Sequence, residues 1–232
     1  MTMNPDARKW RGSHDRQSIW DADIYDSWFD EPRGARLFRL EARAALQLIS
    51  RGQTVLEVGC GTGRFLAALA AEGAAAAGVD PDPGMVEFAK RRGGAVVAQA
   101  RAESLPFPDA RFDATLAVTV LEFVDDAATA VEEMARVTRS GGRIVVGFLN
   151  PRSLWGLGLL QQRRQEPWRS ARFFQRRELG GLLAQYGRTE IAGVPLCGET
   201  GLAPGRVAGG GRSERTRLGS YCGFQIASCV RS

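Results

Sequence analysis

A run of alternate glycines is the stretch of this sequence best suited to bind a ligand. The pattern is Glu57-x-Gly59-x-Gly61-x-Gly63, and it directly follows a short apolar run. Such a pattern predicts a turn between a strand and a helix, where glycines let the backbone approach a ligand closely. The carboxylate of Glu57 would repel a pyrophosphate and attract a cation. We therefore expect a positively charged ligand at this turn instead of a dinucleotide.

A second acidic residue, Asp80, ends the next short apolar run and lies seventeen residues after Gly63. In nucleotide-binding α/β folds, an acidic residue about 20 positions after the glycines binds the ribose hydroxyls. Capping of the following helix is the alternative role, but Asp82 is better placed for it, directly before Pro83. Asp80 is therefore a candidate ribose ligand. Together with Glu57 it suits S-adenosylmethionine, which carries a ribose, a cationic sulfonium and an α-amino group.

Proton transfer and metal binding require other residue types. Glu122 follows the fourth apolar run, on the side where an acceptor would bind, and is the first candidate for a general base. A surface carboxylate before a helix is the alternative interpretation, and the only histidine, His14, lies in a polar N-terminal stretch. The cysteines show no C-x-x-C pair and no grouping with histidine, so we predict reduced, mostly buried thiols and no metal site. They are Cys60, Cys197, Cys222 and Cys229.

Alternating apolar runs and helical patterns would position these residues, and they predict βαβ units around a parallel sheet. Strands are expected at residues 54–58, 76–79, 96–98, 112–118, 144–149, 191–196 and 221–230. Helices are expected at residues 64–72, from Asp82 to Gly93, from Asp125 or Asp126 to Ser140, and at residues 178–186. Residues 19–49 carry two further amphipathic helical patterns, separated at residues 31–34.

Positive charge is concentrated in the C-terminal third of the chain. Residues 151–232 contain 13 arginines, no lysine and five glutamates, a balance of +8, whereas residues 1–150 have a balance of −3. The insertion at residues 151–174 is rich in Arg and Trp, follows the fifth predicted strand and is expected to form a lid over the acceptor pocket. Arg169 and Arg172 would hold an anionic acceptor. A packing helix with a solvated basic face and a nucleic-acid partner are the alternatives.

The composition, with 44% hydrophobic and 25% charged residues, is typical of a globular domain of this length. The N-terminal residues contain no apolar core of a secretory signal. No apolar run reaches the roughly 18–20 residues that span a bilayer. These observations predict a cytoplasmic protein.

Several motifs in order give the chain a resemblance to the class I S-adenosylmethionine-dependent methyltransferases, and within them to the methyltransferase type 11 branch. That branch includes enzymes of ubiquinone and menaquinone biosynthesis. The matching segments are VLEVGCGTG (55–63), GVD (78–80), AESLPFPD (102–109), RFD (111–113), RV before GGR (136–143) and, for the N-terminal cap helix, YD-x-WF (25–29).

The resemblance implies a Rossmann-like αβα sandwich around a seven-stranded, mostly parallel sheet whose last strand is antiparallel. It implies that the glycines surround the methionine part of the donor, that Glu57 lies near its amino end and that Asp80 holds the ribose. Other residues would border the adenine or the methyl group. The complete set that the resemblance implies for S-adenosylmethionine is Tyr25, Glu57, Gly59, Cys60, Gly61, Gly63, Asp80, Pro81, Met85, Ala102, Glu103, Thr119 and Leu121.

We therefore predict one methyltransferase domain over residues 1–232. Its parts would be N-terminal cap helices (1–50), a donor-binding core (51–150), a lid insertion (151–174) and a C-terminal helix with a strand hairpin (175–232). The expected function is methyl transfer to a small-molecule acceptor, in which the protein mainly positions the reactants. Two alternatives stay open: methylation of RNA or protein through the basic C-terminal third, and a module that binds S-adenosylmethionine without turnover.

Overall fold

The computed structural model describes residues 21–153, 168–194 and 223–232. The strands in these ranges are β1 (Thr54–Val58), β2 (Ala75–Asp80), β3 (Val96–Gln99), β4 (Phe112–Val118), β5 (Thr138–Leu149), β6 (Gly187–Val194) and β7 (Phe224–Arg231). The described helices are α1 (Ala22–Trp28), α2 (Pro32–Leu46), α3 (Arg64–Ala71), α4 (Pro83–Arg92), α5 (Ala127–Val137) and α6 (Arg176–Ala184).

All seven described strands form one sheet in the order β3-β2-β1-β4-β5-β7-β6. Strands β1 to β5 are parallel, and β7 lies antiparallel between β5 and β6. This confirms the predicted mostly parallel sheet with an antiparallel last strand. The strand order reverses between β1 and β4, and in open α/β sheets ligands bind at the carboxyl ends of the strands at such a point. The fold therefore provides a crevice next to the glycine turn that follows β1.

Helices cover both faces of the sheet and produce three layers. On one face, Ala45 of α2 packs with residues of α3 and with Val55 of β1. On the other face, Met134 of α5 packs with residues of α6 and with Leu56 of β1. Val55 and Leu56 face opposite layers because successive side chains alternate across a strand. This confirms the predicted αβα sandwich.

The two predicted N-terminal helices are confirmed, but the break between them lies at residues 29–31 and not at residues 31–34. The Asp21 carboxylate caps α1 by accepting a 3.0 Å hydrogen bond from the backbone N–H of Ile24. Pro32 is the first residue of α2, since a proline without an N–H is tolerated in the first turn. The proline that we interpreted as a break therefore begins the second helix.

Strand β5 begins at Thr138, six residues earlier than predicted, and the helix before it ends at Val137 instead of at the glycine pair. Thr138 pairs with Phe112 of β4, after which the register of the two strands shifts. A Cβ at Gly142 would lie 2.7 Å from the backbone oxygen of Asp113. The glycine therefore allows two strands to approach each other at an irregularity, and does not end a helix.

Two of the C-terminal elements also begin earlier than predicted, whereas β7 begins at Phe224 and not at residue 221. Helix α6 begins at Arg176 and not at Glu178, and β6 begins at Gly187 and not at Ile191. Several predictions fall outside the described residues: the polar N-terminal stretch with His14, the insertion between residues 154 and 167, and residues 195–222 with two of the cysteines. Within the described ranges, no helix is long and apolar enough to cross a membrane.

Candidate active site

The glycine turn after β1 adopts the backbone conformation that its sequence predicts. Gly59, Gly61 and Gly63 have φ values of 70°, 51° and 81°, which lie in the left-handed region that favours glycine. The backbone N–H groups of Gly59 and Cys60 both donate to the Val79 oxygen, at 2.8 and 2.9 Å, and so tie the turn to β2. A Cβ at Gly59 would lie 2.4 Å from the side chain of Val120. This position therefore requires glycine for its conformation and for its space.

Asp80, at the end of β2, points its carboxylate into the same turn. Its Oδ2 accepts from the backbone N–H of Gly61 at 2.8 Å, and its Oδ1 accepts from that of Asp82 at 2.9 Å. Burial raises the pKa of Asp80 to about 6, although these two hydrogen bonds lower it. An ionised carboxylate has about four acceptor sites, so Asp80 keeps capacity for ligand hydroxyls. The cap of α4 belongs to Asp82, which accepts from the backbone N–H groups of Gly84 and Met85.

Glu57 is a buried carboxyl group beside the glycine turn, with only 3% of its surface exposed. Its Oε2 has no hydrogen-bond partner among the described residues. Burial, and then the neighbouring charge of Asp80, raises the pKa of Glu57 well above its usual value. A buried acidic group with an unsatisfied oxygen fits a ligand that supplies a cationic hydrogen-bond donor. The turn, Glu57 and Asp80 therefore fit the α-amino and ribose groups of S-adenosylmethionine.

Helix α1 lies against this turn through Tyr25. A Cβ at Gly61 would lie 3.5 Å from the Cε1 atom of Tyr25, so the tyrosine ring borders the glycine directly. Burial raises the pKa of the Tyr25 phenol, and the surrounding carboxyl groups of Glu41, Asp80, Glu57 and Asp26 raise it further. Tyr25 therefore lies beside the glycine turn, where the resemblance implies a donor contact.

Asp26, next to Tyr25, holds α1 in this position. It accepts hydrogen bonds from the Thr62 hydroxyl at 2.6 Å, from Arg64 Nε at 2.8 Å and from Arg92 Nη2 at 2.6 Å. Burial raises the pKa of Asp26, but the hydrogen bonds from Arg64 and Thr62 outweigh it and lower the pKa. Sequence reasoning did not assign a role to Asp26, because its partners lie 36 to 66 residues away in the chain.

Glu122 lies in the turn after β4, at the same edge of the sheet. The turn begins with Thr119, whose φ of 52° is unusual for a residue other than glycine and whose N–H donates to the Gly147 oxygen at 2.8 Å. Glu122 is 1% exposed, and its Oε1 accepts from the backbone N–H of Leu149 at 2.8 Å. Its Oε2 has no hydrogen-bond partner among the described residues. Burial raises the pKa of Glu122 to about 7, although the bond from Leu149 lowers it. The alternative of a surface carboxylate is therefore wrong.

Glu41 of α2 is a residue near Glu122 that sequence reasoning missed. Burial, and then the charge of Glu122, raises its pKa to about 8. A signal was present in the sequence: Leu37, Glu41 and Ala45 are four residues apart and share one face of α2, whose other two members are buried. An acidic residue on the buried face of an amphipathic helix indicates a special environment.

The other residues predicted to bind S-adenosylmethionine differ in their exposure and in their hydrogen bonds. Met85, Ala102, Cys60 and Leu121 are buried, whereas Pro81 is exposed. Glu103 accepts from the backbone N–H of Asp125 at 2.9 Å and from Arg101 at 3.3 Å. The Glu103 side chain therefore holds the loop before α5.

The cysteines and possible metal ligands give no sign of a metal centre in the described part of the chain. Cys60 and Cys229 are buried and form no disulfide. Burial raises the pKa of both thiols. Among the described residues, no three His, Cys, Asp or Glu side chains come together in a way that could hold a metal ion.

The described end of the insertion lies beside Glu122. The backbone N–H of Arg172 donates to the backbone carbonyl oxygen of Glu122 at 2.7 Å, and Trp168 stacks on Phe173 with ring centroids 6.3 Å apart. The guanidinium of Arg172 pairs with Glu178 at 2.5 Å and lies over the Phe174 ring at 5.0 Å. Arg172 therefore already has a charged partner, which weakens the prediction that it holds an anionic acceptor.

Comparisons with known proteins agree with this fold and this site. Residues 56–146 match the family described as "Methyltransferase domain", type 11. An uncharacterised protein of Mycobacterium tuberculosis is 39% identical over 175 residues, which is 74% of this chain, and the chain spans only 60% of the length of that relative. An uncharacterised protein of Methanocaldococcus jannaschii is 34% identical over 172 residues, or 73% of this chain and 80% of that protein. A demethylmenaquinone methyltransferase of Tropheryma whipplei is 38% identical over 116 residues, covering 47% of this chain and 48% of that enzyme.

Among solved structures, a Thermotoga maritima protein described as an S-adenosylmethionine-dependent methyltransferase, possibly a histamine N-methyltransferase, is similar over 90% of this chain and 95% of its own length. The TM-score is 0.71 and the sequence identity is 27%. Fold and glycine site together define a Rossmann-like methyltransferase domain. The chain belongs to the type 11 family of S-adenosylmethionine-dependent methyltransferases.

Proposed function

We propose that this chain transfers the methyl group of S-adenosylmethionine to a small-molecule acceptor. The observation that carries the proposal is a group of acidic side chains at the carboxyl edge of the sheet. Glu57 and Asp80 are buried, Glu41 is partly buried, and all three interact with Tyr25. The fourth, Glu122, is buried and interacts with Glu41. An enclosed acidic site suits a small ligand and disfavours the phosphate backbone of a nucleic acid. The demethylmenaquinone enzyme and the possible histamine enzyme are named for small-molecule acceptors, which supports the same choice.

On the donor side, the residues bind and orient the ligand. Asp80 accepts hydrogen bonds from the ribose hydroxyls, Glu57 accepts one from the α-amino group, and the turn around Gly61 fits the methionine part. The buried side chains of Met85 and Ala102 line the adenine side. S-adenosylmethionine, when bound, supplies a methyl group that its sulfonium activates for in-line displacement. Positioning of this kind contributes roughly 7–11 kcal/mol to lowering the barrier.

On the acceptor side, Glu122 receives a proton from the reacting group. A general base works best when its pKa is close to the working pH, and burial raises the pKa of Glu122 to about 7. The hydrogen bond from Leu149 holds Oε1, which leaves Oε2 to face a ligand. Tyr25 borders Gly61 on the donor side and interacts electrostatically with Glu41 on the acceptor side.

The test has two stages. Calorimetry should first show that S-adenosylhomocysteine binds with a dissociation constant in the micromolar range, roughly −7 to −8 kcal/mol. Absence of binding for both this product and S-adenosylmethionine would refute the proposal. The protein should then be incubated with methyl-labelled S-adenosylmethionine and a cell extract separated into small-molecule, RNA and protein fractions. Label in the small-molecule fraction supports the proposal, label in RNA or protein would refute the small-molecule acceptor, and donor binding without any transfer would indicate a non-catalytic module.

A further inference from the structure

Glu41, which is partly buried, and Glu122, which is fully buried, form a pair of acidic residues that donor binding leaves unexplained. Ala45 of α2 and Leu149 of β5 belong to one hydrophobic cluster, and Glu41 lies one helical turn before Ala45 on the same face. The backbone N–H of Leu149 in turn binds Glu122. Helix α2 contacts β5, and the charge of Glu122 raises the pKa of Glu41, so the two carboxyl groups lie within electrostatic reach of each other near the end of β5. We call these two residues the acceptor pair.

The acceptor pair has no cationic partner among the described residues. The neighbouring arginines are already engaged: Arg64 and Arg92 bind Asp26, and Arg172 binds Glu178. Glu122 Oε2 is buried and makes no hydrogen bond there. A buried carboxyl group is costly unless it is paired with a cation or protonated. A ligand that donates hydrogen bonds and carries positive charge would satisfy Glu122 Oε2 and stabilise the ionised form of the pair.

We infer that the acceptor is an amine, which enters as an ammonium ion and is held by Glu41 and Glu122. This inference rests on the proposed function, since it names the substrate class of the same site. An alcohol or phenol would donate a hydrogen bond to one carboxyl oxygen. It would not bring a positive charge to the two carboxyl groups. A carboxylate or phosphate ester would add a third negative group to the same space and would be repelled.

In the reaction that follows, Glu122 takes up a proton and Glu41 orients the acceptor. The ammonium ion gives one proton to the carboxylate of Glu122 and becomes a neutral amine. The lone pair of its nitrogen then forms the new N–C bond to the methyl group, while the electrons of the S–C bond remain on sulfur. The products are an N-methylated ammonium ion and S-adenosylhomocysteine, and the proton on Glu122 leaves to solvent with the product. Glu41 holds a second N–H of the acceptor and orients the lone pair.

The experiment measures binding of matched probes to the full chain saturated with S-adenosylhomocysteine. The probes are three series of equal size that differ in one group: hexylamine, hexanol and hexanoate; benzylamine, benzyl alcohol and benzoate; and 2-phenylethylamine, 2-phenylethanol and phenylacetate. In at least one series, we expect the amine to bind ten times more tightly than the alcohol and the acid of that series. Equal or tighter binding of the alcohol or the acid, or no preference in any series, would overturn the inference.

The variants Glu122→Gln and Glu41→Gln distinguish the acceptor pair from a general effect of charge. Each should weaken binding of the preferred amine at least tenfold and leave the affinity for S-adenosylhomocysteine unchanged. Glu72→Gln removes the same charge from an exposed position and is the control, which should bind the amine as the unmodified protein does. Unaltered amine binding in both acceptor-pair variants would overturn the inference. Failure of S-adenosylhomocysteine to bind at the start would instead refute the proposed function.

Discussion

Replacing Glu122 by glutamine should make the ligand-free protein more stable at pH 8, although it removes a proposed catalytic group. The side chain is 1% exposed, and its pKa is raised by burial from 4.5 to about 7. Glutamine has nearly the same shape and can still accept the hydrogen bond from Leu149, but it carries no charge at any pH. The substitution therefore removes the free-energy cost of ionising a buried carboxyl group and keeps the packing around the side chain.

The sign follows from the protons that each state binds. Below about pH 4.5 the carboxyl group is protonated in the folded and in the unfolded protein, and its stabilising contribution is fully present. Between about pH 4.5 and about pH 7 only the unfolded state has lost the proton, so the free energy of unfolding falls as the pH rises. At about 1.4 kcal/mol for each pH unit, the difference amounts to about 3 kcal/mol above pH 7.

Other groups face Glu122 and affect the result. Glu41 lies on α2 with a pKa raised to about 8, and its charge opposes that of Glu122. The carboxyl group also accepts from the backbone N–H of Leu149, which does not titrate. Because the two acids interact, their apparent pKa values belong to the pair. The double variant with Glu41→Gln measures this interaction directly.

The assay is urea unfolding of the ligand-free protein at pH 5 and pH 8. At pH 5 the variant and the unmodified protein should agree within about 1 kcal/mol. At pH 8 the variant should be more stable by about 3 kcal/mol, which corresponds to roughly 6–12 °C in Tm for a chain of this size. Glu72→Gln, at an exposed position, should change the stability by less than about 0.5 kcal/mol at both pH values. If Glu122→Gln gains nothing between pH 5 and pH 8, the carboxyl group is not buried and uncompensated as we argue.

Three further substitutions test the donor side. Asp80→Asn should weaken S-adenosylhomocysteine binding by about 1–3 kcal/mol in calorimetry with an unchanged circular dichroism spectrum, and normal binding would exclude the ribose role. Gly59→Ala should destabilise the fold by about 2–4 kcal/mol in urea unfolding, because its Cβ would lie 2.4 Å from Val120 at a φ of +70°. Gly52→Ala, at a φ of +81° with nothing within 4 Å, is its control and should cost only about 1–2 kcal/mol. Asp26→Ala should cost about 2–3 kcal/mol and weaken donor binding, because α1 would lose its ion pairs; unchanged affinity would show that α1 plays no part in the donor site.

Much of the fold could be predicted because its signals are local. Strand β4 matches its prediction at both ends, since a mostly apolar run of seven residues bounded by Arg111 and Thr119 allows few alternatives. Helix α4 begins where Asp82 and Pro83 predict and ends before Gly93. The glycine turn was predictable for the same reason, because the conformations of Gly59 and Gly61 depend on the residues themselves.

The misses arise where contacts distant in sequence decide the structure. Thr138 is in a strand because β4 lies beside it, and no local preference ends the helix at that residue. The role of Asp26 depends on Arg92, which is 66 residues away and joins it only in the folded chain. Glu41 lies on the buried face of α2, but only the structure brings it to Glu122. The side chain of Glu103 accepts a hydrogen bond from the backbone N–H of Asp125, a contact over 22 residues that its motif did not indicate.

The acidic groups of the site explain why the ligand-free chain should be less stable than its packing suggests. Ionising Glu122 alone removes about 3 kcal/mol above pH 7, and Glu57, Glu41 and Asp80 are also held above their usual pKa values by burial. A ligand present at 100 times its dissociation constant stabilises the folded state by about 2.7 kcal/mol. A cationic donor and a cationic acceptor can therefore each offset a loss of this size. The same carboxyl groups that bind the two substrates thus couple stability to occupancy of the site.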